Sequence, residues 1–381
     1  MISGIRYVWN SVNKRVIFMV LLLGVIWLVF NILSGGYILR AENMANLFRQ
    51  VTVVAILSIG MTLVIVSGNI DLSVGSALGM FGAIAAALTT QLELNSYLSV
   101  ALVLLLGVAV GCLHGWLIHF LNIPAFVVTL GGLIAYRGVT QYVARQAIPI
   151  REPWIKAIAQ GAVPDWLAVA IMILIVAGLV VSTVRVRRDH RTAGLRIDPL
   201  WVDVVKLAAT SLVVVVMFVV LLQDAGFPVQ VLVLLSMAFV VSLAGRLTRF
   251  GHYVYAVGGN SQAAHYSGIS IGKTIIGTFA LMGFLSALAG IISISELSSA
   301  APDIGNLKEL ETIAACVIGG TSLMGGSGAI GMSILGALIM ASIKNGMSMM
   351  GIVAQMQKVI LGSLLVVAVG LDQWSRRRTG G

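Results

Sequence analysis

Long apolar blocks follow one another through the chain, and they constrain its fold more than any other feature. Only 10% of the residues are charged, whereas 59% are hydrophobic. A soluble domain carries about a quarter charged residues and could not cover its surface with so few. In the hydrocarbon core of a bilayer, only helices and closed barrels satisfy their own backbone groups, and a helix needs about 20 apolar residues to cross it. The sequence therefore predicts an all-α integral membrane protein.

About twelve blocks have the length and composition of membrane-spanning helices. They are residues 16–33, 51–67, 72–90, 97–120, 124–143, 165–185, 204–222, 229–245, 274–297, 311–323, 328–343 and 352–371. The block 311–323 is short and broken by glycine, so it is either a full span or a re-entrant half-helix. We expect about 10–12 transmembrane helices with glycine-broken segments, in one transmembrane domain over residues 1–381. Gly107, Gly111 and Gly115 share one helix face, which predicts close helix packing within the bundle.

Basic residues near the ends of the blocks predict the orientation in the membrane. If the N-terminus is cytoplasmic, the connections on that side are richer in Lys and Arg, with Arg6, Arg196 and Arg246 among them. This bias places both termini in the cytoplasm. Two long connections fall on the same side, the basic loop 186–203 and the polar, Gly-rich loop 246–273.

The loop 246–273 carries a local signal for a short helix. Asn260 or Ser261 can cap a helix that runs to Tyr266, and Gly268 can end it. Such a helix is either a platform for a cytoplasmic partner or a passive connector. The run GISIGKT that follows has three residues between its glycines, whereas a phosphate-binding loop needs four, and no strand precedes it. Nucleotide binding is therefore not expected in this chain.

No catalytic or metal-binding motif is present in the sequence. The five histidines lack metal-ligand spacing, and Cys112 and Cys316 both lie in apolar blocks. Acidic residues at mid-span, which mark ion-coupled carriers, are sparse, since Asp71 lies in a polar break and Glu296 lies near a span end. An external source of energy is the favoured interpretation, and a self-powered secondary carrier is the alternative from a different class.

Two polar, Gly- and Ser-rich breaks beside apolar runs, 69–79 and 320–328, are similar to each other. Either they are duplicated broken helices, as in many transporters, or the similarity is a chance one in Gly-rich sequence. Irregular backbone at membrane depth is tolerated only inside protein or beside a water-filled cavity. The broken segments 68–76 and 319–328 are therefore predicted to line a translocation path, and the alternative is that they only pack within the bundle. The residues assigned to the path are Asn69, Asp71, Ser73, Gly319, Gly320, Thr321 and Ser322.

A set of ordered runs resembles the permease subunits of bacterial ABC importers of the ribose, galactose and xylose type. The runs are NLFRQ at 46–50, GMTLVI at 60–65, IDLSVGS at 70–76, YVYAVGGN at 253–260, LSSAAP at 297–302 and IGGTSLMGGSG at 318–328. They cover most of the chain. The region 165–225 departs from the shorter ribose-type members and is similar to an extension in xylose and multiple-sugar permeases.

The resemblance implies a permease that moves a monosaccharide, with D-xylose or a related pentose or hexose as cargo, across the inner membrane by alternating access. It implies a homodimer, a periplasmic sugar-binding protein and a separate cytoplasmic ATPase with two fused nucleotide-binding modules. ATP and Mg would bind to that ATPase, so no cofactor, enzyme activity or nucleic-acid binding is expected of this chain. An ABC permease for another small solute, such as a branched-chain amino acid, is the alternative of the same class.

The resemblance also assigns roles to individual residues. Its ATPase-contacting loop corresponds to residues 258–269, so the docking candidates are Gly259, Asn260, Ala263, Ala264, Ser267 and Gly268. The loop 298–309 would face the sugar-binding protein, with Asp303 and Glu309 as candidate contacts.

Overall fold

The computed structural model describes residues 14–194, 199–223 and 226–379, in which regular structure is almost entirely helical. The helices are α1 Lys14–Leu33, α2 Ala41–Val66, α3 Val74–Ala86 with a π-helical extension Ala87–Gln91, α4 Ser96–Phe120, α5 Ala125–Val143, α6 Pro153–Gln160, α7 Asp165–Thr192, α8 Leu200–Leu222, α9 Val229–Leu247, α10 Arg249–Gly259, α11 Ser261–Tyr266, α12 Ile271–Leu297, α13 Lys308–Ile318, α14 Ile330–Met349 and α15 Ala354–Thr379. Four two-residue strands accompany them: β1 Ile148–Pro149, β2 Ala162–Val163, β3 Phe227–Pro228 and β4 Ser299–Ala300. The prediction of an all-α membrane protein is confirmed.

Each of the predicted apolar blocks contains a helix. Within the described part of the chain, 9 helices are long and apolar enough to cross a membrane. The helices α5, α13 and α15 are not among them. Helix α13 has 11 residues, so it is about 16 Å long, roughly half the thickness of the hydrocarbon core. Of the two possibilities for the block 311–323, the structure therefore has the half-helix.

The chain separates into two compact units, and the first consists of residues 1–46 and 162–228. In it, α7 and α8 form a hairpin. Strands β2 and β3 pair antiparallel at one end, with Val163 opposite Phe227. Phe227 stacks on Phe218 with their ring centroids 4.5 Å apart. At the other end, Arg187 of α7 forms an ion pair with Asp203 of α8.

The prediction of a basic loop over 186–203 was wrong for most of that segment. Helix α7 continues to Thr192, so the cluster of arginines before it belongs to the last turns of a helix. Helix α8 begins at Leu200, which leaves a short connection. Arg6 and Arg196 of the charge pattern lie outside the described residues. A charged extension of a membrane helix is stable because Arg is a good helix former and basic residues favour helix C-termini.

The second unit consists of residues 47–161 and 229–381, and its buried centre is α2 with α12. In α2, 89% of the most apolar window is buried, against 28% in α4. Helix α12 lies against α4 through small residues, as the three glycines on α4 predicted. A Cβ atom built on Gly107 would lie 2.5 Å from the Gly283 carbonyl oxygen, and one on Gly111 would lie 2.1 Å from that of Phe279. The helices can approach this closely only because these positions lack a side chain.

The two ends of the second unit carry different structures. At one end, which we call the strand end, β1 pairs antiparallel with β4 and Ile148 lies opposite Ala300. At the other end, which we call the loop end, α10 and α11 follow α9. The segment 246–273, predicted as a polar loop, is therefore mostly helical. Thr248 caps α10 at its N-terminus by accepting a hydrogen bond from the amide of Gly251.

Candidate functional site

The short helix α11 was predicted correctly in its position and its cap. Asn260 is the N-cap, and its side-chain oxygen accepts a hydrogen bond from the amide of Ala263 at 2.9 Å. Gly268 ends the turn with a φ of +80°. The amide of Ile269 reaches back to the carbonyl of Ala264 at 3.0 Å, which completes a Schellman motif. The helix is thus held by its own polar groups at both ends.

The predicted docking residues do not all face outward. Those that are exposed are Gly259, Asn260, Ala263, Ser267 and Gly268. Ala264 is 4% exposed and fixes α11 against the bundle. Tyr266, which the sequence analysis did not single out as a contact, is 88% exposed and extends from the same helix. An exposed aromatic ring beside small residues is a typical anchor of a protein contact.

Behind α11, backbone atoms from three distant parts of the chain meet, and we call this contact the glycine junction. It comprises Val66 at the end of α2, Gly258 near the end of α10, and Gly325 and Gly326 after α13. The amide of Gly326 donates a hydrogen bond to the carbonyl of Val66 at 2.8 Å. A Cβ atom on Gly258 would lie only 1.6 Å from that same Val66 oxygen. The position therefore accepts no side chain in this packing.

Tyr255 adds a second link between α10 and the break that follows α13. Its hydroxyl donates a hydrogen bond to the carbonyl of Gly328 at 2.8 Å. Burial raises the pKa of Tyr255 above its ordinary value, so the phenol stays protonated and remains a donor at neutral pH. The exposed helix α11 is thus connected through α10 to both predicted path segments.

The first break leads from the glycine junction into the interior of the bundle. Helix α2 ends in a Schellman motif in which the amide of Asn69 donates to the carbonyl of Val64 at 3.1 Å. The chain is then non-helical until α3 begins at Val74. Gly82 of α3 packs against Gly290 of α12. Val74 lies about 12 Å along α3 from Gly82, and thus beside the middle of α12. Helix α3 therefore begins deep within the bundle.

Asp71 and Ser73, both assigned to the path, hold the start of α3. Asp71 Oδ1 accepts hydrogen bonds from the Ser73 amide at 2.8 Å and the Ser73 hydroxyl at 2.6 Å. The two side chains are 4% and 1% exposed. The carbonyl of Ile70 accepts from the hydroxyl of Thr129 at 3.3 Å. Asn69 is the member of this group that lines an open cleft, of about 760 Å³, at the loop end beside His119.

The second break has the same beginning as the first. Helix α13 ends at Ile318, Gly320 has a φ of +88°, and the amide of Thr321 donates to the carbonyl of Cys316 at 2.9 Å. This is again a Schellman motif. The similarity seen between the two breaks in the sequence therefore extends to their local structure. Gly319 contributes close packing, since its Cβ would lie 2.5 Å from the carbonyl oxygen of Met332.

The hydroxyl of Thr321 belongs to a buried polar cluster with Thr62 and Ser333. Thr62 Oγ1 donates to Ser333 Oγ at 2.7 Å, and Ser333 Oγ lies 3.2 Å from Thr321 Oγ1. Thr321 and Ser322 are 1% and 2% exposed. In this conformation Thr321 joins the break to α14, whereas the hydroxyl of Ser322 accepts a hydrogen bond from the amide of Met324 within the break at 3.3 Å.

The acidic residues proposed to contact a binding protein lie in different environments. Asp303 is exposed, in the connection between β4 and α13. Glu309 is 6% exposed, and a Cβ atom on Gly75 would lie 2.1 Å from its Oε2 atom. The side chain of Glu309 is therefore not on the surface that a partner protein would touch in this conformation.

A polar cavity of about 550 Å³ lies toward the strand end, between α2, α12, α13, α14 and α15. Its charged lining residues are Glu296, Asp303, Lys308, Glu311, Lys344 and Lys358. Sequence reasoning did not identify Lys308, Glu311, Lys344 or Lys358 as site residues. The acidic first turn of α13 was a signal, but its lysine partner Lys344 comes from α14, 33 positions away. We call this space the charged cavity.

Discontinuous membrane helices with buried breaks, connected to a capped helix at one end, define the architecture of a solute-transport permease. The chain belongs to the family described as "Branched-chain amino acid transport system / permease component", whose model matches residues 43–369.

Several relatives cover nearly the whole chain. The "Xylose transport system permease protein XylH" of Escherichia coli strain K12 is 36% identical over 379 residues, 99% of this chain and 95% of the relative. The protein of the same name from Haemophilus influenzae is 36% identical over 371 residues, 97% of this chain and 99% of the relative. The "Ribose import permease protein RbsC" of Escherichia coli strain K12 is 32% identical over 375 residues, 97% of each chain. No solved structure matches the chain. The resemblance drawn from the sequence is confirmed.

Proposed function

We propose that the chain is the membrane permease of an ATP-driven importer that carries a monosaccharide, with D-xylose first among the candidates. The observation that supports the cargo is the similarity to xylose permeases over 99% of the chain. The description of the family names amino acids, but the relatives above that cover nearly the whole chain are named as xylose and ribose permeases. The cargo is therefore assigned from the relatives and not from the description of the family.

The proposed source of energy is a separate cytoplasmic ATPase with two fused nucleotide-binding modules, which would bind ATP and Mg. It would dock on α11 through Asn260, Ala263, Ser267 and their exposed neighbours. The observation that supports this role is that α11 has its own N-cap, packs on the bundle through Ala264 and is otherwise exposed. A movement of α11 would be passed along α10 to the glycine junction and so to both breaks.

We propose that this movement changes the access of the sugar from one side of the membrane to the other. The segments that would move are the breaks after α2 and α13, because both contact α10 through backbone atoms and neither is bound within a regular helix. The polar groups of Asn69, Asp71, Ser73, Thr321 and Ser322 would then meet the sugar only in conformations in which the breaks separate. A bundle with two discrete packings is the usual basis of such a switch.

The proposed setting is the bacterial inner membrane, with both termini and the loop end on the cytoplasmic side. This orientation follows the Lys and Arg bias and places the arginines at the end of α7 in the cytoplasm. The strand end would then face the periplasmic binding protein, with the exposed Asp303 as a contact. Two copies of the chain would assemble with one tandem ATPase.

Reconstitution in proteoliposomes tests the proposal. The permease, its ATPase and its binding protein are combined, and the uptake of radiolabelled D-xylose is measured with and without ATP. We expect uptake that requires ATP and persists when the proton gradient is collapsed. Uptake by the permease alone, driven by a proton or sodium gradient, would establish a secondary carrier instead. Uptake of leucine or valine in place of any sugar would assign the other cargo.

A further inference from the structure

Three charged side chains from α13 and α14 form one network at the wall of the charged cavity. Glu311 of α13 accepts from the ammonium group of Lys308 at 2.8 Å through one oxygen. Its other oxygen accepts from Lys344 of α14, also at 2.8 Å. The side chain of Glu311 is 16% exposed, while those of Lys308 and Lys344 are 24% and 40% exposed. The network is thus partly desolvated but open to the cavity along both lysines.

Charged groups are costly in a membrane bundle, and those that persist face a cavity and serve a pathway. The lining extends from this network toward the middle of the bundle. Val53 and Val54, in the middle of α2, form one wall, and Ala337 and Ala341 of α14 form another. Glu296 contributes a further carboxylate from the last turns of α12.

The formal charges of the lining are balanced. Glu296, Asp303 and Glu311 supply the carboxylates, and Lys308, Lys344 and Lys358 supply the ammonium groups. A cavity with equal numbers of both signs gives a net attraction to neither anions nor cations. It offers many donors and acceptors to a neutral solute instead. Each ammonium group has three donors and each carboxylate about four acceptor sites, so the Lys308–Glu311–Lys344 network leaves several unused.

A monosaccharide fits this chemistry, because each of its hydroxyls both donates and accepts a hydrogen bond. The cavity of about 550 Å³ is large enough for one sugar together with water. The described lining contains no aromatic side chain. Stacking on an aromatic ring is a strong source of sugar affinity in proteins, so the cavity would hold the sugar only weakly. Weak binding suits a transit site, from which the solute has to leave.

We infer that the charged cavity is the transit site of the neutral sugar on its way through the permease, with Lys308, Glu311 and Lys344 as its polar contacts. This assignment rests on the proposed function. It differs from the path drawn from the sequence, whose residues Asp71, Ser73, Thr321 and Ser322 are buried in other contacts in this conformation.

Protection of an introduced thiol from a labelling reagent by the sugar tests the cavity assignment directly. In the complete transporter, Ala341→Cys places a thiol on the cavity wall, and Ser348→Cys places a second one on the lining nearer the end of α14. The rate of reaction with a small hydrophilic thiol reagent is measured alone, with D-xylose and with the corresponding sugar acid at equal concentration. The wild-type transporter, whose native Cys112 lies in the apolar helix α4 outside the lining, gives the background rate of labelling. We expect D-xylose to slow labelling at Ala341→Cys several-fold, and the anionic acid to have a smaller effect.

Glu311→Gln provides a second test in the same transporter. The change keeps the shape of the side chain but removes its negative charge and replaces one acceptor oxygen with an NH2 donor. One of the two ammonium groups loses its acceptor, and both lose their counterion. We expect D-xylose uptake to fall about tenfold or more, because the loss of one member of a buried network leaves the others uncompensated. The matched control is Glu93→Gln, the same chemical change at an exposed position outside the lining. It should transport like the wild type. ATPase binding to Glu311→Gln, measured by copurification, should be unchanged.

The outcomes of these experiments distinguish a failure of the proposed function from a failure of the cavity assignment. If the wild-type transporter takes up no sugar, the proposed function fails. If it takes up D-xylose but both introduced thiols react at the same rate with and without sugar, the cavity assignment alone is overturned. Equal protection by D-xylose and by the sugar acid would also overturn it, because charge balance would then have no part in recognition.

Discussion

Gly258→Ala isolates the link between the predicted docking helix and the two breaks. The new methyl group would enter a contact made only of backbone atoms, 1.6 Å from the Val66 carbonyl oxygen. Gly138 of α5 lies outside the junction and the docking surface, and it has no atom within 4 Å of an added Cβ. Gly138→Ala is therefore the matched control, with the same chemical change in a helix where the methyl group has space.

The magnitude follows from the distance that the backbone would have to move. Ordinary van der Waals contact begins near 3.4 Å, so α10 and the end of α2 must separate by about 2 Å. Overpacking of this kind costs about 1–3 kcal/mol. The hydrogen bond from Gly326 to Val66, at 2.8 Å, would be strained or lost, at about 1 kcal/mol. The junction is therefore weakened by about 2–4 kcal/mol, which corresponds to more than tenfold in an equilibrium constant.

The assay compares transport with ATP hydrolysis in the reconstituted transporter. Helix α11 keeps its own cap at Asn260, so ATPase binding and ATP turnover should stay near the wild-type values. D-xylose uptake per ATP should fall about tenfold or more, because a weakened junction no longer passes the motion to the breaks. Gly138→Ala should leave both rates unchanged.

Normal uptake per ATP in a folded Gly258→Ala transporter would refute the reasoning, because a displaced junction would then have no effect on coupling. Folding is checked by the thermal unfolding midpoint and by size-exclusion chromatography in detergent. A variant that loses ATPase binding as well would place Gly258 in the docking surface and not behind it.

Three further changes test separate parts of the structure. Asn260→Ala removes the cap of α11, at about 1 kcal/mol, and should weaken copurification of the ATPase; a serine at the same position should restore it. Gly320→Ala places a side chain at a φ of +88° and should lower stability by about 1 kcal/mol or more, whereas Gly331→Ala, in open space, should be neutral in the same thermal unfolding measurement. Thr62→Val removes the donor to Ser333 and should cost about 1–3 kcal/mol; an unchanged unfolding midpoint would mean that the buried hydroxyl cluster contributes nothing.

Local features of the fold were predictable from the sequence because they depend on neighbouring residues. Apolar blocks of the right length contain helices, because backbone N–H and C=O groups in the bilayer core need hydrogen-bond partners within the protein. The N-cap at Asn260 and the end at Gly268 were predictable because capping needs only residues a few positions apart. Likewise, Gly107, Gly111 and Gly115 indicated close packing before their partner helix was known.

Features that depend on tertiary contact were not predictable. Lys344 pairs with Glu311 across two helices, and no spacing in the sequence connects them. Thr321 was assigned to a path because polar residues in a break can face water. The structure instead places its hydroxyl beside that of Ser333 on α14, which in turn bonds to Thr62 on α2. The arginines before Thr192 were predicted to lie in a loop, because the helix was expected to end where the apolar block ends. Helix α7 instead continues beyond that block.

The glycine junction contains only main-chain atoms at its closest points. Its strength therefore does not depend on protonation, on counterions or on the redox state of a side chain. A change in salt concentration or pH would therefore leave the contact of α10 with α2 and with the break after α13 unchanged. Gly258, Gly325 and Gly326 would be intolerant of substitution although none of them has a side chain that contributes a contact. In the proposed transporter, regulation would therefore act on the ATPase or on the supply of sugar and not on this contact.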